Sequence, residues 1–155
     1  MATEIERKFL VQRELWQPKD EGRHILQSYL CTDPERTVRI RISQETGYLT
    51  IKGKNEGIRR TEFEYEIPLE DAKELMKLCE LPPIEKRRHR EQLGGSVWEI
   101  DVFEGANKGL VLAEIELPSV DAGFELPEWA GQEVSDDDRY YNANLHQHPY
   151  SSWHE

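Results

Sequence analysis

The chain predicts an α+β fold dominated by antiparallel β-structure, with about eight short strands and few helices. Two patterns predict it: apolar residues recur with a period of two over short stretches, and turn residues separate those stretches. A third pattern lies in the polar half of the alternation. In four stretches it consists of charge clusters: Glu4 and Glu6 ahead of Lys8, Arg39 with Arg41, Lys86 with Arg88 and Arg90, and Glu114 with Glu116.

The first strand is expected over residues 4–11, followed by a short helix over 13–20 and a second strand over 24–30. Strands over 37–42 and 48–52 flank Ser43-Gln44-Glu45-Thr46-Gly47, and Gly53-Lys54-Asn55-Glu56-Gly57 leads into a strand over 58–67. A helix is expected over 69–79, because its apolar residues fall at helical spacing between Pro68 and Pro82-Pro83. Gly94-Gly95 joins strands over 84–92 and 96–103, and Glu104-Gly105-Ala106-Asn107-Lys108-Gly109 precedes the last, 110–117. Residues 136–145 open on three Asp residues, as a helix N-terminus prefers. Residues 146–155 lack periodicity and read as a loose tail. No repeat or linker divides the 155 residues, so 1–155 is expected to be one domain with room for a core.

Sorting each strand by parity gives two unlike faces. One gathers Glu4, Glu6, Lys8, Arg39, Arg41, Lys52, Arg60, Glu62, Glu64, Lys86, Arg88, Arg90, Glu99, Asp101, Glu114 and Glu116. The other gathers Ile5, Phe9, Val11, Val38, Ile40, Ile42, Leu49, Ile51, Phe63, Tyr65, Ile67, Trp98, Ile100, Val102, Val111, Ile115 and Leu117. Two architectures fit. An open sheet would put the apolar face on a core and the charged face in water. A sheet closed on itself would turn the charges inward, around a lumen able to hold one small ligand. The charged face is rich in Arg, the residue best shaped for bidentate contact with phosphate oxygens, and that favours a lumen.

Composition narrows the partners. Charged residues are 33% of the chain and the net charge is −11, which disfavours nucleic acid held by its phosphates but not a local basic pocket. No apolar run approaches membrane-spanning length, and Met1-Ala2-Thr3-Glu4 carries no signal-like region, so a soluble, cytoplasmic protein without a membrane partner is expected. Cys31 and Cys79 form no ligand spacing and read as reduced thiols. No GxxxxGK[ST] or GxGxxG loop is present to cradle phosphate. His146, His148 and His154 read as part of a solvated tail. The pairs Glu4/Glu6 and Glu114/Glu116, with Asp101, offer hard oxygen ligands without His or Cys, which suits two Mg²⁺ or Mn²⁺ ions better than Zn²⁺.

Taken in order, Glu4-Ile5-Glu6-Arg7-Lys8, Arg39-Ile40-Arg41, Thr50-Ile51-Lys52-Gly53, Arg60-Thr61-Glu62-Phe63-Glu64, Lys86 with Arg88, Trp98-Glu99-Ile100-Asp101 and Ala113-Glu114-Ile115-Glu116 resemble the CYTH superfamily of triphosphate tunnel metalloenzymes. Asp138–Leu145 is similar to the C-terminal helix of its short bacterial members. The resemblance implies a closed eight-stranded antiparallel barrel, with flanking helices and a C-terminal helix at one tunnel end. It implies metal roles for Glu4, Glu6, Asp101, Glu114 and Glu116, and substrate binding by Lys8, Arg39, Arg41, Lys52, Arg60, Lys86 and Arg88. Lys8, Glu4 and Tyr29 would be the catalytic residues. The expected reaction is metal-dependent hydrolysis of inorganic tripolyphosphate to pyrophosphate and phosphate. The alternatives are a thiamine or nucleoside triphosphatase, then a class IV adenylyl cyclase, then a polyphosphate- or nucleotide-binding module. An organic group would turn suspicion to Trp98, Phe103 or Tyr140. The partner expected is a small-molecule triphosphate, and a homodimer is compatible with all of this.

Overall fold

The computed structural model describes residues 3–153. Met1, Ala2 and His154, on which expectations were placed above, lie outside the described residues. The strands are β1 (Thr3–Val11), β2 (Arg23–Cys31), β3 (Arg36–Ser43), β4 (Thr46–Gly53), β5 (Arg59–Ile67), β6 (Ile84–Leu93), β7 (Ser96–Phe103), β8 (Val111–Glu116) and β9 (Ala130–Glu133). The helices are α1 (Leu69–Met76) and α2 (Asn142–Gln147), with 3₁₀ turns at Gly105–Asn107, Asp138–Tyr140 and Tyr150–Ser152. No helix among the described residues is long and apolar enough to cross a membrane.

Strand order is β5-β4-β3-β2-β6-β7-β8-β1, all antiparallel, and β1 also pairs with β5, so the sheet closes into the eight-stranded barrel. Closure uses one edge of β1 twice. Thr3, Glu4 and Ile5 pair with Thr61, Arg60 and Arg59 of β5, while Phe9 and Val11 pair with β9. The β3–β4 and β6–β7 hairpins turn through Gln44-Glu45 and Gly94-Gly95, with Gln44 and Gly94 in the left-handed region that two-residue turns require. Gly47 is needed for a different reason: a Cβ there would lie 2.7 Å from Cβ of Ala72, where α1 packs onto the barrel.

Apolar residues form two clusters. Ile5, Phe9, Trp98, Ile100, Ala113 and Ile115 sit outside the barrel wall, covered by Trp16, Ala122, Phe124 and Trp129. Tyr29, Ile84, Phe103, Leu110, Leu112, Val134, Tyr140 and Leu145 form the second. Tyr29, Ile84, Phe103 and Leu112 share parity with the charged residues, so this second cluster stoppers one end of the lumen with help from the C-terminal segment. Not all of the apolar face is covered: Ile51, Phe63 and Tyr65 on β4 and β5 remain exposed.

Besides adding β9, the structure departs from the sequence reading in four places. Residues 13–20 form a turn and no helix. Pro18 lacks an amide donor, and Trp16 is drawn out of any helical path to donate its indole N–H to Glu91 at 2.7 Å. The helix expected over 69–79 ends at Met76, and its last residues tighten into i→i−3 bonds. The helix expected over 136–145 splits, because Tyr141 takes an extended backbone between the 3₁₀ turn and α2. The tail is packed through Trp153: His146 is buried, Tyr150 N–H donates to Asn107 at 2.7 Å, and Trp153 stacks edge-on against Tyr140 and Tyr150.

Candidate active site

The period of two carries the whole charged set inward. On the β1–β8 ladder Lys8 stands opposite Glu114 and Glu6 opposite Glu116. On β3 and its neighbours Arg39 stands opposite Tyr29 and Thr50, and Arg41 opposite Gln27 and Tyr48. Lys52 faces Glu62 across β4–β5, and Arg88 faces Asp101 across β6–β7. Together these strands enclose a wide cavity of about 1400 Å³ lined by Glu4, Glu6, Arg39, Arg41, Lys52, Arg88, Glu114 and Glu116. A narrower cavity of about 250 Å³, lined by Lys8, Tyr29, Arg60 and Tyr141, adjoins it. Glu4, Glu6, Arg39, Lys52 and Asn142 line both.

The cations fall into two groups by what holds them. Four are held by carboxylates. Arg88 makes a fork on Asp101 at 2.8 and 2.9 Å, and Lys86 donates to the same carboxylate at 2.7 Å. Lys52 lies between Glu4 (3.2 Å) and Glu62 (3.3 Å), and Arg39 bonds Glu64 (3.3 Å) and the Thr50 hydroxyl (3.1 Å). Three are held by neutral oxygens. Lys8 donates to the Tyr140 carbonyl (3.1 Å), Arg60 to the Gly53 carbonyl (2.9 Å) and Arg41 to the Gln27 side chain (2.8 and 3.0 Å).

Crowding sets the proton affinities. Burial, then Glu114 and Glu4, push Glu6 well above the usual carboxylate range. Burial, with Glu4, Glu62 and Glu99 nearby, also raises Glu116. Burial works on Glu114 too, but Lys8 and Arg88 outweigh it and hold that carboxyl down to about 2. Lys8 is raised, since Glu114 and Glu6 overcome its burial. Burial, then Arg39 and Arg88, bring Arg41 down to about 9.

These residues fit a hard divalent cation. Glu6 and Glu116 are all-oxygen donors strained by neighbouring negative charge, which a cation relieves. No three of the lumen carboxylates among the described residues have ligand atoms within 4.8 Å of one another. Among the described residues, the one group of three ligand-type side chains with atoms within 4.8 Å is His24, Glu85 and Glu104, whose positions put it outside the lumen. Asp101, grouped above with the metal-ligating carboxylates, has both oxygens engaged by Lys86 and Arg88.

Sequence reasoning missed Gln27, Thr50 and Asn142. All are uncharged, so a search for charge pairs passes over them, although Gln27 shares the parity of Tyr29. Asn142 accepts from Lys86 at 3.2 Å and brings α2 to the lumen. The aromatic suspects for an organic group are spent on packing: Trp98 lies in the outer cluster, Phe103 and Tyr140 in the stopper.

A closed antiparallel barrel with a lumen of alternating carboxylates and cations defines a polyanion-binding tunnel. The CYTH domain model matches residues 2–142, and the chain belongs to that family. It is 46% identical over 156 residues to a protein of Acetivibrio thermocellus named inorganic triphosphatase, covering all of both chains. A protein of Nitrosomonas europaea with the same name is 38% identical, over 92% of this chain and 96% of its own. The crystal structure of the inorganic triphosphatase NE1496 superposes with a TM-score of 0.66 at 35% identity, covering 94% of this chain and 95% of that one.

Proposed function

We propose that the chain is a metal-dependent triphosphatase that hydrolyses inorganic tripolyphosphate to pyrophosphate and orthophosphate. One observation carries the reading: on adjacent strands Lys8 and Glu6 stand opposite Glu114 and Glu116, inside a closed lumen whose other walls supply Arg39, Arg41, Lys52 and Arg88, with Lys86 buried behind them on Asp101. The similarity to relatives named inorganic triphosphatase supports it.

Arg39, Arg41, Lys52, Arg60, Lys86 and Arg88 bind successive phosphoryl groups, with the arginines contributing planar two-point contacts. Glu4, Glu6, Glu114 and Glu116 would hold Mg²⁺ or Mn²⁺, two ions in all, and the metal would supply neutralisation of phosphate charge and a more acidic water. Asp101 orients Lys86 and Arg88 instead of ligating metal. Lys8 is kept protonated by Glu114 and Glu6, so it stabilises charge on the reacting phosphoryl group and keeps its own proton. Tyr29 lines the same narrow cavity as Lys8, where its hydroxyl orients that phosphoryl group. The barrel wall limits bulk water, so these contacts act at reduced dielectric.

The test is a phosphate-release screen with Mg²⁺ or Mn²⁺ across tripolyphosphate, ATP, thiamine triphosphate and pyrophosphate, with cyclic AMP followed in parallel. Tripolyphosphate should lead ATP in kcat/KM by at least about tenfold, or about 1.4 kcal/mol. A better turnover of ATP or thiamine triphosphate would overturn the substrate, and cyclic AMP as the main product would overturn the hydrolase reading.

A further inference from the structure

Gln27 is the one wholly buried neutral side chain of β2 that touches two members of the proposed site. It is 0% exposed and pairs with Arg41 on β3 and Ile84 on β6. Its oxygen accepts from both Nε (3.0 Å) and Nη2 (2.8 Å) of Arg41. Two guanidinium donors on one atom fix which way the amide is turned, because its nitrogen has no lone pair to offer them. The nitrogen therefore faces Tyr29 and donates to the hydroxyl oxygen at 3.4 Å, which leaves the Tyr29 O–H hydrogen to be directed elsewhere.

The contrast with Arg88 gives this contact its meaning. Arg88 is clamped by a carboxylate fork from Asp101 and lies within 4 Å of Glu99 and Glu114, so its charge is locally compensated. Arg41 receives orientation of comparable geometry from an amide that carries no charge. No carboxylate forms an ion pair with it among the described residues, and the like charges of Arg39 and Arg88 act on it more strongly than the opposing charge of Asp101. A bond to a neutral acceptor is also the weaker kind, more readily exchanged for a phosphate oxygen.

We propose that Gln27 is a positioning residue, which aims Arg41 into the lumen with a neutral acceptor so that its positive charge stays available to a phosphoryl group. Through its amide nitrogen it also sets the acceptor side of Tyr29. The proposal rests on the tripolyphosphate reading above. A Glu at this position would keep the clamp and cancel the charge, while a Met would keep the volume and drop the clamp.

The experiment measures tripolyphosphate binding by calorimetry in EDTA, and KM and kcat with Mg²⁺, for Gln27→Glu and Gln27→Met, each alone and with Arg41→Ala. Gln27→Glu should weaken metal-free binding at least about tenfold and raise KM similarly, with a smaller change in kcat. Gln27→Met should weaken binding several-fold, and that loss should shrink to within about twofold in the Arg41→Ala background. Wild-type-like binding by Gln27→Glu, or an undiminished Gln27→Met loss beside Arg41→Ala, would overturn the proposal. If Gln27→Glu does not fold, the Gln27→Met cycle decides alone. A wild-type protein that binds tripolyphosphate without splitting it overturns the hydrolase reading and leaves the binding comparison to judge Gln27. One that does neither overturns both.

Discussion

Lys86 and Asp101 form a 2.7 Å ion pair with side chains 0% and 1% exposed, inside a barrel whose purpose would otherwise call for free cations. Burial, then Arg88 and Arg41, pull Lys86 down to about 7 against the attraction of Asp101. Burial would raise Asp101, but Arg88 and Lys86 hold it far below the carboxylate range, so it stays an anion. Asp101 thus contributes stability that is complete at neutral pH and lost only in acid below its unfolded value.

Asp101→Asn should therefore destabilise the metal-free protein by about 3–5 kcal/mol, because it leaves Arg88 without its buried carboxylate and removes the charge that keeps Lys86 protonated. Urea unfolding in EDTA checks this. A residue that only ligated metal would give a loss within about 1 kcal/mol under those conditions.

Glu6 should behave in the opposite way. Its folded pKa is raised, so the folded state loses stability as pH climbs from the unfolded value towards that folded value. Glu6→Gln should stabilise the metal-free protein near neutral pH by about 1 kcal/mol, roughly 2–4 °C in Tm. The advantage should fade in acid as the wild-type carboxyl takes up its proton. Thermal melts in EDTA across pH would show it, and a less stable Glu6→Gln at neutral pH would contradict it.

Turnover should vanish in EDTA and return with Mg²⁺ or Mn²⁺, and Glu114→Gln or Glu116→Gln should remove most of it. Ca²⁺ should support the reaction poorly, since its longer and looser coordination misplaces reacting groups. Full activity in chelator would rule out the metal proposal.

Binding and chemistry should separate by residue. Arg41→Ala should mainly raise KM, by at least about tenfold, and Glu4→Gln should chiefly lower kcat. Steady-state kinetics on both variants decides it. Unchanged parameters for Arg41→Ala would mean that its charge does no work in the lumen.

Much of this site was legible because strand parity is a local property. Once Glu4, Glu6 and Lys8 share a side, so do Arg39 with Arg41 and Glu114 with Glu116, and hairpin order brings the sides together. What escaped depends on distant partners. Strand β9, Ala-Gly-Gln-Glu, has little strand character of its own and forms because β1 offers it an open edge. The break at Tyr141 follows from burying Tyr140 and turning its carbonyl to Lys8, a contact between chain ends. Gln27 has no charge to announce it, and its importance lies in Arg41 standing opposite.

The double use of one edge of β1 also bears on how the chain is made. Strand β1 precedes every one of its partners in the chain: β5 at Arg59–Thr61, β8 at Leu112–Glu116 and β9 at Ala130–Glu133. Until those emerge, β1 waits as an unpaired ribbon, the kind of segment that seeds wrong pairings between nascent chains. Glu4, Glu6, Arg7 and Lys8 make it a poor template for another strand. The charges proposed for chemistry in the finished tunnel thus also guard its first strand through the long interval before the barrel can shut.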